Sequence, residues 1–176
     1  VRRCVSMDLK EPGNVLYLLG TTQDELGGSH FHLVTHRRGG RVPQVDRVMA
    51  PKIFRAVHAA IIQGLVRACH DLSEGGLAVA IAEMAFAGGI GADLTALPGS
   101  LSDEAKFFSE SPTRFLVEVK PEHAAAFEAC CAGVPVVGVG RTVAEPRLRM
   151  AGSDGQWQIW VKLATLKEAW QKPLRW

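Results

Sequence analysis

His70-Asp71-Leu72-Ser73-Glu74-Gly75-Gly76-Leu77 gathers more reactive groups than any other stretch of this sequence. An ionisable pair is followed by a hydroxyl, a carboxylate and two glycines, and an alanine-rich apolar segment begins at once. That order predicts a strand end, a tight polar loop and a helix start. Amides at a helix start are unpaired and carry partial positive charge, so they suit anions. Glycines let backbone approach a ligand without a Cβ in the way. As an imidazole, His70 suits acid–base work, and Asp71 with Glu74 offers carboxylates to a metal. The plainer reading is that Asp71 and Ser73 cap the helix and His70 packs. The residues alone leave both open.

Two further loops carry polar groups of the same kind. Asp24-Glu25-Leu26-Gly27-Gly28-Ser29 offers two carboxylates, two glycines and a hydroxyl to phosphate or magnesium, or is a flexible turn between strands. Phe108-Ser109-Glu110-Ser111-Pro112-Thr113-Arg114 stands directly before a strand-like run. There Glu110 and Arg114 either pair and shape a site or form an ordinary surface ion pair, which contributes little to stability. His30, His32 and His36 invite a metal test. Residues 30 and 32 share a face if the segment is a strand, but no cysteine or carboxylate at metal spacing completes the set. No serine-hydrolase elbow, Walker loop or dinucleotide fingerprint is present.

The elements that must position these loops follow from periodicity. Residues 14–20 form a short apolar run ending at glycine and read as a buried strand. Residues 38–47 hold Gly39, Gly40 and Pro43 and read as a loop. Pro51 opens a helix whose buried face is Ile53, Val57, Ala60, Ile61, Gly64, Leu65 and Ala68; His58 lies beside that face. Residues 69–72 read as a strand end. Residues 76–87 form a helix buried on most sides, stopped by Gly88-Gly89, and 90–94 a strand. Residues 101–108 suggest a helix with Ser102 as N-cap, 113–120 a strand, and Pro121-Glu122 the start of a helix to about Cys131. Residues 134–139 read as a buried strand. Residues 147–150 and 156–162 form a hairpin through Gly152-Ser153-Asp154-Gly155, and 163–171 a last helix that ends at Pro173. Alternating strands and helices that finish in a hairpin predict a mixed sheet.

Bulk properties narrow the classes. The chain has 176 residues, 47% hydrophobic and 22% charged, as expected of an ordinary globular domain. A net charge of +2 gives no argument for nucleic acid, and Arg37-Arg38-Gly39-Gly40-Arg41 reads as a solvated loop. Cys4, Cys69, Cys130 and Cys131 fit neither a disulfide framework nor a zinc site, which implies reduced thiols in a cytosolic protein. No apolar run approaches membrane-spanning length and no signal peptide is visible. The sequence opens Val1-Arg2-Arg3-Cys4 without methionine, which suggests a piece of a longer polypeptide.

Together the three loops resemble the last domain of phosphoribosylformylglycinamidine synthase, synthetase subunit. The stretches that carry the resemblance are Asp24 to Ser29, His70 to Ala80 and Glu110-Ser111-Pro112-Thr113-Arg114. Met7-Asp8-Leu9-Lys10 and Gly13-Asn14 flank the first strand in the same sense. It runs from about Ser6 to Arg141, and Leu166 to Trp170 looks like the family's closing helix. The superfamily also holds aminoimidazole ribonucleotide synthetase and selenophosphate synthetase. Its members use ATP to activate an oxygen as a phosphate ester.

The resemblance implies an α/β (α+β) three-layer fold, partly ferredoxin-like, with residues 1–176 as a single C-terminal B domain. It implies an ATP-dependent ligase of purine biosynthesis. Formylglycinamide ribonucleotide, glutamine, ATP and water would give formylglycinamidine ribonucleotide, glutamate, ADP and phosphate. ATP and magnesium would be bound mainly by other domains. The implied partners are sister A and B domains and a glutaminase subunit or domain, with no nucleic acid and no membrane. By resemblance the loops face a shared cleft and contact substrate or phosphate through Gly27, Gly28, Ser29, His70, Asp71, Ser73, Glu74, Gly75 and Gly76; no catalytic residue or metal ligand is assigned. The chain alone is expected to be inactive. The alternatives are another ATP-dependent synthetase of the superfamily and a non-catalytic scaffold domain.

Overall fold

A computed structural model describes residues 3–175. Val1 and Arg2, which carry the reading of a start without methionine, lie outside the described residues, as does Trp176. The first strand explains the layering. In β1 (Val15–Leu19), side chains alternate between the two faces of the sheet, and both faces are apolar. Leu16 and Leu18 enter one hydrophobic core, Tyr17 and Leu19 a second. A strand of this kind needs cover on both sides.

Helices supply that cover. One core packs Tyr17 and Leu19 against Ile53, Val57 and Ala60 of α2 (Ala50–Ile62) and Phe127 of α5 (Ala124–Cys130). The other gathers Leu77, Ile81 and Met84 of α3 (Gly76–Gly88), Phe107 of α4 (Asp103–Phe108) and Leu163 of α6 (Leu163–Gln171). The result is three layers, helices on either side of one sheet.

That sheet has the order β2-β4-β1-β5-β3-β6-β7, with β2 (Val66–Asp71), β3 (Gly91–Leu94), β4 (Phe115–Val119), β5 (Val136–Val143), β6 (Arg147–Ala151) and β7 (Trp157–Lys162). β3 and β6 run parallel; β2–β4, β4–β1, β1–β5, β5–β3 and β6–β7 are antiparallel. The expected mixed sheet is therefore present, and so is the hairpin. The units β1-α2-β2 and β4-α5-β5 interleave as β2-β4-β1-β5 with both helices on one face, which is the ferredoxin-like part. The insertion α3-β3-α4 between β2 and β4 covers the other face and widens the sheet.

Several boundaries differ from expectation for local reasons. α2 ends at Ile62, because Gly64 takes φ +74° and turns the chain. Gly64, Leu65 and Ala68 thus leave the helical face; Leu65 is buried just before β2 and Ala68 within it. His30 and His32 lie in the short helix α1 (His30–Val34), not a strand, because Ser29 caps it by accepting from the His32 amide. The strand expected at 134–139 runs instead over 136–143. It is half-buried, with Val139 and Thr142 its buried residues, while Val136 packs against the α2–α5 core from its edge.

Candidate functional site

The three polar loops meet, and a single carboxylate ties them. Glu110 Oε1 accepts from the backbone N–H of His30 at 2.9 Å and of Gly75 at 2.9 Å. It thereby joins the start of α1 to the turn that opens α3. Two lone amides with partial positive charge attract an anion, and in this chain the anion is the protein's own side chain. Ser109 and Ser111 add to the knot. The Ser109 hydroxyl donates to the Gln23 carbonyl at 2.7 Å, and the Gln23 amide donates to Ser111 Oγ at 3.0 Å.

Arg114 anchors this assembly from beneath. It is 1% exposed and donates to the carbonyls of Ser111 and Ser109 and to Thr22 Oγ1. The sequence left open a pair with Glu110 that shapes a site or an ordinary surface ion pair; instead the guanidinium is buried and bonds backbone oxygen. Burial pushes its pKa down to about 10, while the nearby charges of Glu25 and Glu110 oppose the shift, so it stays a cation at neutral pH. Thr113, just before it, holds φ +59°, a strained conformation for a β-branched residue.

Eight of the nine residues expected to touch a ligand separate into two groups. Asp71 and Ser73 are exposed and line an open cleft of about 630 Å³, together with Phe54, Glu110, Thr113 and Phe115. Glu74 and Gly28 are exposed nearby. Gly28 has φ +76° and open space where a Cβ would stand. Gly27, Ser29, Gly75 and Gly76 are buried. A Cβ on Gly76 would collide with the Ser109 carbonyl oxygen, and one on Gly27 would lie 2.6 Å from the Arg41 carbonyl oxygen. These two glycines let backbone pack on backbone. Ser29 spends its hydroxyl on the Leu26 carbonyl and on capping α1.

His70 is neither free nor simply packed. Its Nε2 lies 3.0 Å from Glu83 and its Nδ1 3.3 Å from Asp71, so two carboxylates fix the ring. Neither Asp71 nor Ser73 caps α3; the cap residue is Gly75 in the left-handed conformation, and Glu110 takes its amide. Cys69 also lines the cleft, but burial, helped by Asp71, raises its thiol to about 12, which removes it as a nucleophile. Among the described residues no group of three or more His, Cys, Asp or Glu converges as a metal centre. His30, His32 and His36 therefore form none.

Glu110 and Arg114 are not among the nine residues that the sequence put in contact with a ligand. The signal was present as a carboxylate and a guanidinium four residues apart around Ser-Pro, directly before a strand. What periodicity does not reveal is that such a loop folds inward.

This arrangement of sheet, helices and loops defines a known class. The chain belongs to the family described as AIR synthase related protein, C-terminal domain, whose model matches residues 11–153. It is 37% identical to the phosphoribosylformylglycinamidine synthase subunit PurL of Deinococcus radiodurans over 97% of this chain and 24% of that protein. With the Thermobifida fusca PurL it shares 39% identity over 98% of this chain and 22% of that protein. The chain thus spans about a quarter of the length of these curated relatives. Among solved structures, T. maritima PurL complexed with FGAR superposes with a TM-score of 0.82, at 20% identity, over 94% of this chain and 29% of that one. Hydrogenase maturation protein HypE in complex with ATP gives 0.65 at 15% identity, over 92% of this chain and 54% of that one. At these identities the superpositions establish the shared fold.

Proposed function

We propose that this chain works as a single domain, the final B-type domain, of a phosphoribosylformylglycinamidine synthase. The observation that carries the reading is the convergence of the three loops in a chain this similar to PurL. In that role the domain supplies one wall of a composite cleft. Asp71, Ser73, Glu74 and Gly28 present polar groups to it, while Gly27, Ser29, Gly75, Gly76 and His70 set their positions. ATP and magnesium enter by the same inference; T. maritima PurL is known complexed with ATP and with ADP. Magnesium commonly takes one or two carboxylates and completes its shell with phosphate and water. Asp71, exposed on the cleft wall, meets that minimum. When bound, the ion and nucleotide would supply the phosphoryl group that activates the formyl amide oxygen; this chain would orient substrate and exclude water.

A glutaminase partner is part of the same proposal, supported by the structure called PurLQS from T. maritima, and the enzyme would be cytoplasmic. Among the described residues no helix is long and apolar enough to cross a membrane. The isolated chain should not turn over. Incubation with ATP, ammonia and formylglycinamide ribonucleotide is expected to give no amidine, and robust product formation would overturn the fragment reading.

A scaffold role has its own support, since Glu110 already satisfies the two loop amides. Asp71→Asn and Ser73→Ala in the full-length synthetase separate the two. A raised KM with unchanged folding supports ligand contact, whereas unchanged kinetics supports the scaffold.

A further inference from the structure

We propose that the chain holds a hard divalent cation in a small cavity at the start of α2, beside the cleft and sharing Thr113 with it, with Glu25 and Asp46 as its anionic ligands. The cavity measures about 110 Å³, and Thr21, Gln23, Glu25, Asp46, Ser111 and Thr113 are on its walls. Glu25 is 1% exposed. Its Oε1 accepts from the Gln44 amide at 3.0 Å, but its Oε2 is buried and has no hydrogen-bond partner among the described residues. A buried carboxylate oxygen without a partner is costly, and such an atom points to an ion or water that satisfies it. Arg114 lies close enough for its charge to act on Glu25, yet its three hydrogen bonds go to Ser111, Ser109 and Thr22 and none reaches this oxygen.

Asp46 stands on the same cavity wall. Its Oδ1 accepts from the amides of Val48 and Met49 at 2.9 Å each. Those bonds fix the carboxylate at the cavity wall. Two carboxylates call for a dipositive ion. No histidine or cysteine lines the cavity, so the donor set is oxygen and suits magnesium, calcium or manganese rather than zinc. At about 30 Å³ per water there is room for an ion that keeps part of its hydration shell. Such an ion would tie the loop before α1 to the loop before α2 and to the strained Thr113. It would thereby brace the segment that carries Glu110.

The test uses the chain freed of metal with a chelator, with Mn²⁺ as a paramagnetic probe. Glu25→Gln keeps the acceptor for the Gln44 amide, and Asp46→Asn keeps an acceptor for the Val48 and Met49 amides, so both variants should fold. The expected result is one Mn²⁺ per chain, displaced by Mg²⁺, with binding at least about tenfold weaker in each variant. The unmodified chain should gain about 7 °C in Tm at a cation concentration about 100 times Kd, and Glu25→Gln should gain none. Asp71→Asn, which removes a carboxylate from the cleft, should bind as the unmodified chain does. The proposal is overturned by any of four results: no stoichiometric binding at millimolar Mn²⁺, unchanged binding in Glu25→Gln, loss of binding in Asp71→Asn alone, or the same Tm gain from K⁺.

Discussion

Glu110 occupies the position that a ligand anion would be expected to take between the amides of His30 and Gly75. Its removal should therefore act first on the loops. Glu110→Ala leaves two amides unpaired and is expected to cost about 2 kcal/mol. Urea denaturation reads the loss, and hydrogen exchange should accelerate at residues 30 and 75 before it does in β1. The glycines divide on the same physical basis. Gly76→Ala combines φ +62° with a collision against the Ser109 carbonyl and should destabilise by about 3 kcal/mol or more. Gly28→Ala also has positive φ but open space, and should cost about 1 kcal/mol. Equal losses in thermal melts of the two variants would contradict this division. Gly76 is thus a poor probe of ligand contact, whereas Gly28 is a usable one.

Among the elements, the parallel junction of β3 with β6 depends on a charge. Asp93 on β3 accepts from Arg149 Nε at 2.9 Å and Nη2 at 2.6 Å, and also from Arg147. Burial alone would raise the Asp93 pKa, but Arg149 and Arg147 hold it below the usual carboxylate range. A carboxyl depressed in the folded state binds its proton more readily when unfolded. Its stability contribution is therefore present above the unfolded pKa, near about 4, and is lost as pH falls through the folded value. Asp93→Asn should lower stability by about 2 kcal/mol at pH 7. Below about pH 4 the difference from the unmodified chain should shrink; denaturant midpoints measured from pH 7 to pH 2 would show whether it does. Arg149 also lies over the Trp157 ring at 4.2 Å, so the same contact braces the hairpin β6-β7.

At the scale of the molecule, apolar side chains remain outside the two cores. Leu33, Val34, Val42, Val45, Val48 and Phe54 are all more than half exposed and fall within 33–54, beside the site loops. Exposed apolar surface of this kind marks an interaction site. Under the proposed role it meets the sister domains. The isolated chain should accordingly exchange backbone hydrogens freely across 33–48, while the full-length synthetase should protect that segment. Equal exchange in both would place the domain contacts elsewhere.

Most of the architecture was legible because it depends on local order. The apolar run of β1, the alanine-rich α3, the Ser102 cap of α4, the alternation in β4 and the closing hairpin all lie where periodicity and turn residues put them. The three loops were legible as a set, since their residue types are polar where the neighbouring elements are apolar. Sheet order was not, because it is fixed by pairings such as β1 with β4, about a hundred residues apart in the chain. Nor was the inward turn of Arg114, the orphan oxygen of Glu25 or the clamp by Glu110. Each depends on which backbone groups from distant segments are left unpaired at one point in space. By itself the sequence determined which groups are available for chemistry; only the tertiary structure decided which of them are spent on holding the protein together.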